Sequence, residues 1–174
     1  PEDRALPERC ILGFNSGPPM APSAYNNNVQ LFQTPSYVVI LNEMIHDVRV
    51  IPLNGGAHVD GSIRQLHGDS RGRWEGDTLV VETANYSPTS YFMGSSDGLE
   101  LLERFTRVSE DVLQYEVTIT DPKTWSAPWS AMIPLRRSAD PVFEYACHEG
   151  NVGMEGIMAG ARALERAEAD GGGQ

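Results

Sequence analysis

Four histidines, His46, His58, His67 and His148, are the side chains of this 174-residue chain that ordinarily change charge near neutral pH. Two of them stand beside carboxylates. His46 precedes Asp47 and follows Glu43 by three positions, and His148 is followed by Glu149, Gly150 and Asn151. Imidazole next to carboxylate is the pairing that general acid–base catalysis uses, which makes His148, Glu149, His46 and Asp47 the candidate catalytic groups. His46, His148 and Glu149, with His58 from a glycine-rich loop, are also a chemically reasonable ligand set for a divalent metal such as zinc, copper, iron or manganese. No HxH, HExxH or HxxxH spacing adds weight to the metal reading.

Groups that could hold a substrate are more scattered. Arg71, in Gly68-Asp69-Ser70-Arg71-Gly72-Arg73, can clamp a carboxylate or pair internally at a hairpin. Glu43 stands where an apolar strand turns polar, and Asn151 can face a site or cap a helix. Tyr115, Trp125 and Trp129 supply aromatic walls, a lid or a stacking platform, with core packing as the plainer alternative. Glu103, Arg104, Arg107 and Glu116 fit cross-strand ion pairs; any carboxylate among them that faced inward would be a potential acid. Ser70 lacks a GxSxG setting and the loop lacks GK[ST], which argues against a serine nucleophile and a phosphate loop. Cys10 and Cys147 are the two cysteines, and no CxxC exists. A bridge between them would need an oxidising compartment.

These residues must be positioned by β-structure. Residues 1–28 hold five prolines and the run Asn26-Asn27-Asn28, a wrapping arm of little regular structure. Beyond it, residues 29–151 show strand after strand. In 37–47 the pleat puts Tyr37, Val39, Leu41, Glu43 and Ile45 on one face, and Val38, Ile40, Asn42, Met44 and His46 on the other. Both faces begin apolar and end polar, as at a barrel mouth. Glu75-Gly76-Asp77 and Ser109-Glu110-Asp111 are hairpin turns, and Leu113, Tyr115, Val117 and Ile119 alternate with polar residues. Only Met154, Ile157, Met158, Ala161 and Leu164 recur at helical spacing, predicting one amphipathic helix over 152–170 packed on the strands. The expectation is all-β: one domain, an antiparallel up-and-down barrel of about eight or nine strands, with a sandwich as the alternative.

PPM-x-P-x-x-YNNN (18–28), QTP-x-YVVI-x-NEMIHD-x-R (33–49), GDSRGRWEGDTLVVET (68–83), ERFTRV (103–108), YEVTITDP-x-TW-x-x-PW (115–129) and EYACHEGN (144–151) occur together. In these motifs the chain resembles a family of exported proteins encoded by soil and environmental bacteria. The resemblance implies a periplasmic or secreted location and no particular activity. The expected barrel is similar to the lipocalin-like architecture, which by itself carries no function.

Composition narrows the partners. With 13 basic against 24 acidic residues, net −11, the chain is a poor match for nucleic acid or an anionic membrane surface. Its longest apolar run, Tyr37 to Leu41, is far too short for a membrane span. The chain starts at Pro1 with no basic-then-apolar segment, as expected of a processed exported form or a fragment. The functional expectation is a small exported enzyme with a His/Glu/Asp acid–base cluster and arginine assistance at a barrel mouth. It would hydrolyse, eliminate or isomerise a small polar or aromatic molecule, with a divalent metal as a further option. The alternatives are a lipocalin-like carrier of a small ligand and a cell-envelope interaction module.

Overall fold

A computed structural model describes residues 4–89 and 92–171. Eight strands follow the arm: β1 (Val29–Gln33), β2 (Tyr37–Asn42), β3 (Val48–Pro52), β4 (Asp69–Glu75), β5 (Thr78–Ala84), β6 (Glu100–Arg107), β7 (Val112–Thr120) and β8 (Trp129–Arg136). Helix α1 (Val152–Gly171) ends the chain. The protein is thus mostly β with antiparallel strand ladders, as the period-two patterning predicts.

Among the described residues no closed barrel is found. The strands divide into a three-stranded sheet, β1-β2-β3, and a five-stranded sheet, β4 to β8, each strand paired with its sequence neighbour. Residues 53–68 separate β3 from β4 without a ladder, and β8 does not pair with β1. A groove of about 1030 Å³, lined by Val29, Leu31, Ile133 and Leu135 among others, lies where β1 and β8 would have met. The 53–68 loop, with its glycines and polar residues, offers no sustained pleated surface between β3 and β4, so the two sheets share no ladder there.

One core joins the two sheets: Val38, Ile40 and Ile51 from the first with Leu79, Val81, Leu101, Phe105, Tyr115, Val117 and Ile119 from the second. β3 comes closest to the second sheet at Gly72, where an added Cβ would lie 2.8 Å from Ile51 Cγ2 and 2.9 Å from Leu53 Cδ2. The hairpins read from sequence are present, with Trp74↔Leu79 and Phe105↔Tyr115 in register. Outside, the five-stranded sheet is laced by Arg73–Glu82, Arg73–Glu75 and Arg104–Glu75 ion pairs.

The arm wraps rather than dangles. Cys10 and Cys147 are disulfide-bonded. Met20 N–H donates to the Tyr115 hydroxyl in the core, 3.2 Å. Glu43 is buried and accepts from Asn28 Nδ2 at 2.9 Å and from the Phe143 amide at 3.3 Å, tying arm, β2 and the segment after β8 together. Along α1, Met154, Met158 and Ala161 are half-buried and the rest through Asp170 is exposed.

Candidate functional site

The residues singled out by sequence do not converge. His148, Glu149 and Asn151 are exposed in the turn after the disulfide, and His46 is exposed in a short 3-10 turn, Met44–His46, with positive φ at Ile45 and His46. Among the described residues no group of three or more His, Cys, Asp and Glu side chains gathers to hold a metal ion. Glu43 is consumed by the clasp just described. Arg71 pairs with Asp69 at 3.1 Å and donates from Nε to Ala57 O at 3.0 Å, which is internal pairing. Trp125 and Trp129 pack edge to face at 5.7 Å against the rim of the core, and Trp129 stacks on Phe92.

Tyr115 belongs to a buried polar network that sequence reading did not find. Arg49, from β3, donates from Nε to Ser70 Oγ (2.9 Å), from Nη1 to Glu103 Oε1 (3.0 Å), and from Nη2 to Thr83 Oγ1 (2.7 Å) and Glu103 Oε2. Tyr115 O–H adds a bond to Glu103 Oε1 at 2.9 Å. Burial alone would lower the Arg49 pKa, but the charge and hydrogen bonds of Glu103 outweigh it and the guanidinium is held more firmly protonated. Burial, then the Glu103 charge, pushes the Tyr115 hydroxyl well above the ordinary phenol range. Glu103 therefore does face inward, as the strand pattern allowed, but as the partner of Arg49 and not as a solitary acid. The interior that a lipocalin-like barrel would give to a ligand is filled by this network.

A different pair lines a cavity. Asp47, at the foot of β3, and His67, at the end of the 53–68 loop, meet with Nε2 to Oδ1 at 3.0 Å. A carboxylate only accepts, so Nε2 carries a proton and donates it to Asp47. The ring lies against Gly17, where φ is +74° and an added Cβ would come within 2.0 Å of Nδ1. His67 opens on a cavity of about 430 Å³ between the arm and the loops that precede β4 and join β5 to β6. Its other walls are largely apolar, including Leu6, Leu12, Pro19, Leu66, Phe92 and Leu99. Tyr86 lines it too; burial above all raises its hydroxyl well above the phenol range, and that oxygen and Asp47 Oδ2 are buried with no hydrogen-bond partner. His58 and Asp69 form a second such pair, 2.9 Å, anchoring the other end of the loop.

Of the acid–base candidates, Asp47 alone takes part in this site. His67 carries a sequence signal, being one of four histidines in a loop between strands, but Asp47 is 20 positions away and no local spacing joins them. Asp121 was missed as well: it accepts from Ser96 N, Ser96 Oγ, Lys123 N and Thr124 Oγ1, and holds the turn that carries Trp125. Its Asp-Pro-Lys-Thr setting is turn chemistry that the sequence does show. Comparison with family models, curated proteins and solved structures finds no match to this chain.

Proposed function

We propose that this protein is an exported small-molecule-binding protein. Its ligand sits between the Pro-rich arm and the loops that precede β4 and join β5 to β6, and is a largely apolar, ring-sized molecule carrying one hydroxyl or similar donor. One observation carries the reading: an apolar cavity of about 430 Å³ has His67 on its wall, fixed from behind by Asp47. That is the usual make-up of a ligand site, apolar walls with few polar groups to set orientation. His67, the polar ring on that wall, is the group that would orient the ligand. The disulfide fits an oxidising compartment, and the resemblance in the YNNN, NEMIHD and GDSRGRWEGDTLVVET stretches suggests export. On this reading the meander is an unclosed relative of lipocalin-like architecture, its ligand displaced from the lumen to a site beneath the arm.

Trp129 stacks on Phe92, which lines the cavity, so tryptophan fluorescence reports occupancy. Titration with hydroxylated aromatic molecules should give saturable quenching that His67→Ala weakens about tenfold, the value of one hydrogen bond near 1.4 kcal/mol. Absence of saturable binding across such a panel would overturn the reading.

The catalytic alternative keeps one supporting observation, the Asp47–His67 geometry itself. It predicts turnover of a bound molecule that His67→Ala abolishes while binding persists. Binding without turnover decides for the carrier.

A further inference from the structure

The groove of about 1030 Å³ between β1 and β8 has a strand edge on each side. Hydrogen bonds at the strand ends fix which main-chain groups look into it. Glu43 N–H donates to Asn28 O and Thr34 N–H to Tyr37 O, so the even-numbered residues of β1 turn toward β2. Successive residues of a strand turn these groups to opposite sides, which leaves Val29, Leu31 and Gln33 facing away from β2. Arg137 N–H donates to Asp111 O, so the odd-numbered residues of β8 turn toward β7. Ser130, Met132, Pro134 and Arg136 therefore face away. Among the described residues neither outward row has a backbone partner.

The two edges are poorly defended against another strand. Free edges are commonly blunted by charges, prolines or bulges. β1, Val-Gln-Leu-Phe-Gln, holds no charge and no proline. β8 holds Pro134, whose missing N–H falls on the free side, and one charge, Arg136, at its last position. Ser130, Met132 and Arg136 still offer N–H groups there. The floor between the edges is apolar. Val29 and Leu31 share a face with buried Ile40, and Val29, Ile133 and Leu135 pack against the core.

We propose that an extended segment of another protein adds here as a strand, hydrogen-bonded to β1 along one side and to β8 along the other. Main-chain chemistry selects this occupant. Two rows of alternating N–H and C=O groups are matched together by one extended backbone, because its own groups alternate between the two sides. A small apolar molecule would cover the floor and leave both rows unpaired. The segment is uncharged and apolar at alternate positions, so that one set of its side chains lies on Val29, Leu31, Ile133 and Leu135. Of the described residues only Ala21 lines both this groove and the His67 cavity, so the peptide and the small ligand have separate sites.

The test is fluorescence anisotropy of a labelled, end-blocked peptide of about six residues, valine alternating with threonine. It is titrated with the full, oxidised chain up to about 100 µM. Saturable binding is expected. Peptides N-methylated at every valine, or at every threonine, lose the donors on one side of the strand, and each should bind at least about tenfold more weakly. Leu31→Lys, at a 39% exposed position on the floor, and Met132→Pro, which deletes an outward N–H of β8, should each weaken binding by a similar factor. Val50→Ser, on the outer face of β3, and His67→Ala should leave it unchanged. Near-UV circular dichroism establishes that each variant is folded, and the N-methylated peptides keep the test intact on the unaltered protein if one is not. Absence of saturable binding overturns the proposal. So does binding indifferent to both methylations, binding sensitive to one set alone, or binding that Val50→Ser weakens equally. Sedimentation velocity covers the remaining occupant: self-association that excludes the peptide would make it a second copy and overturn the proposal too.

Discussion

Removing the Arg49 guanidinium should be among the most damaging single changes in this protein. Arg49→Met takes away four hydrogen bonds and leaves the Glu103 carboxylate, itself 0% exposed, with Tyr115 O–H as its nearest remaining donor. Breaking a buried ion pair from one side costs about 3–5 kcal/mol, a large part of a typical total of about 5–15. In urea, with slopes of about 1–3 kcal/mol/M, that moves the midpoint by roughly 2 M. Arg49→Met/Glu103→Leu should recover most of the loss. The hydroxyls left behind keep partners, Ser70 with Thr83 at 3.1 Å and Tyr115 with the Met20 amide. A urea double-mutant cycle measures both the loss and the recovery. A single-variant loss below about 1 kcal/mol, or a double variant no better than Arg49→Met, would refute the reasoning.

Three further outcomes are expected. Reducing Cys10–Cys147, 137 positions apart, should cost on the order of 4–5 kcal/mol in the chain-entropy view and release the arm, so ligand binding should fall before the β circular-dichroism signal does. Asp121 is held below the ordinary carboxylate range by the Ser96, Thr124 and Lys123 donors, which outweigh its burial. Its contribution is therefore complete above the unfolded value near ~3.9 and lost as pH falls through the depressed pKa, so wild type should lose more stability than Asp121→Asn between about pH 5 and 2. Gly17→Ala forces a side chain into a left-handed position and onto the His67 ring, and should cost about 1–3 kcal/mol by thermal melt while weakening ligand binding.

Much of the fold was legible because strands announce themselves locally. The alternation in 113–120 and the turns at Glu75-Gly76-Asp77 and Ser109-Glu110-Asp111 depend on near neighbours, and β4 to β8 formed as that pattern requires. Barrel closure depends on whether β1 meets β8 across a hundred residues, and nothing local encodes that. The site was less legible for the same reason. Arg49 joins residues 21, 34 and 54 positions away, and Asp47 finds His67 across a loop. Pairing His148 with Glu149 relied on adjacency, but successive residues point apart, and both are exposed. Two cysteines allow one pairing, with two buried free thiols as the alternative in sequence, and the Cys10–Cys147 bridge is the one formed.

The most direct test of the ligand site is a tryptophan-fluorescence titration with hydroxylated aromatic molecules on wild type, His67→Ala and Ala21→Trp, the last filling the cavity from its wall. Saturable binding to wild type, about tenfold weaker in His67→Ala and absent in Ala21→Trp, is the predicted result. Binding that survives undiminished in a folded Ala21→Trp protein would place the ligand elsewhere and contradict it.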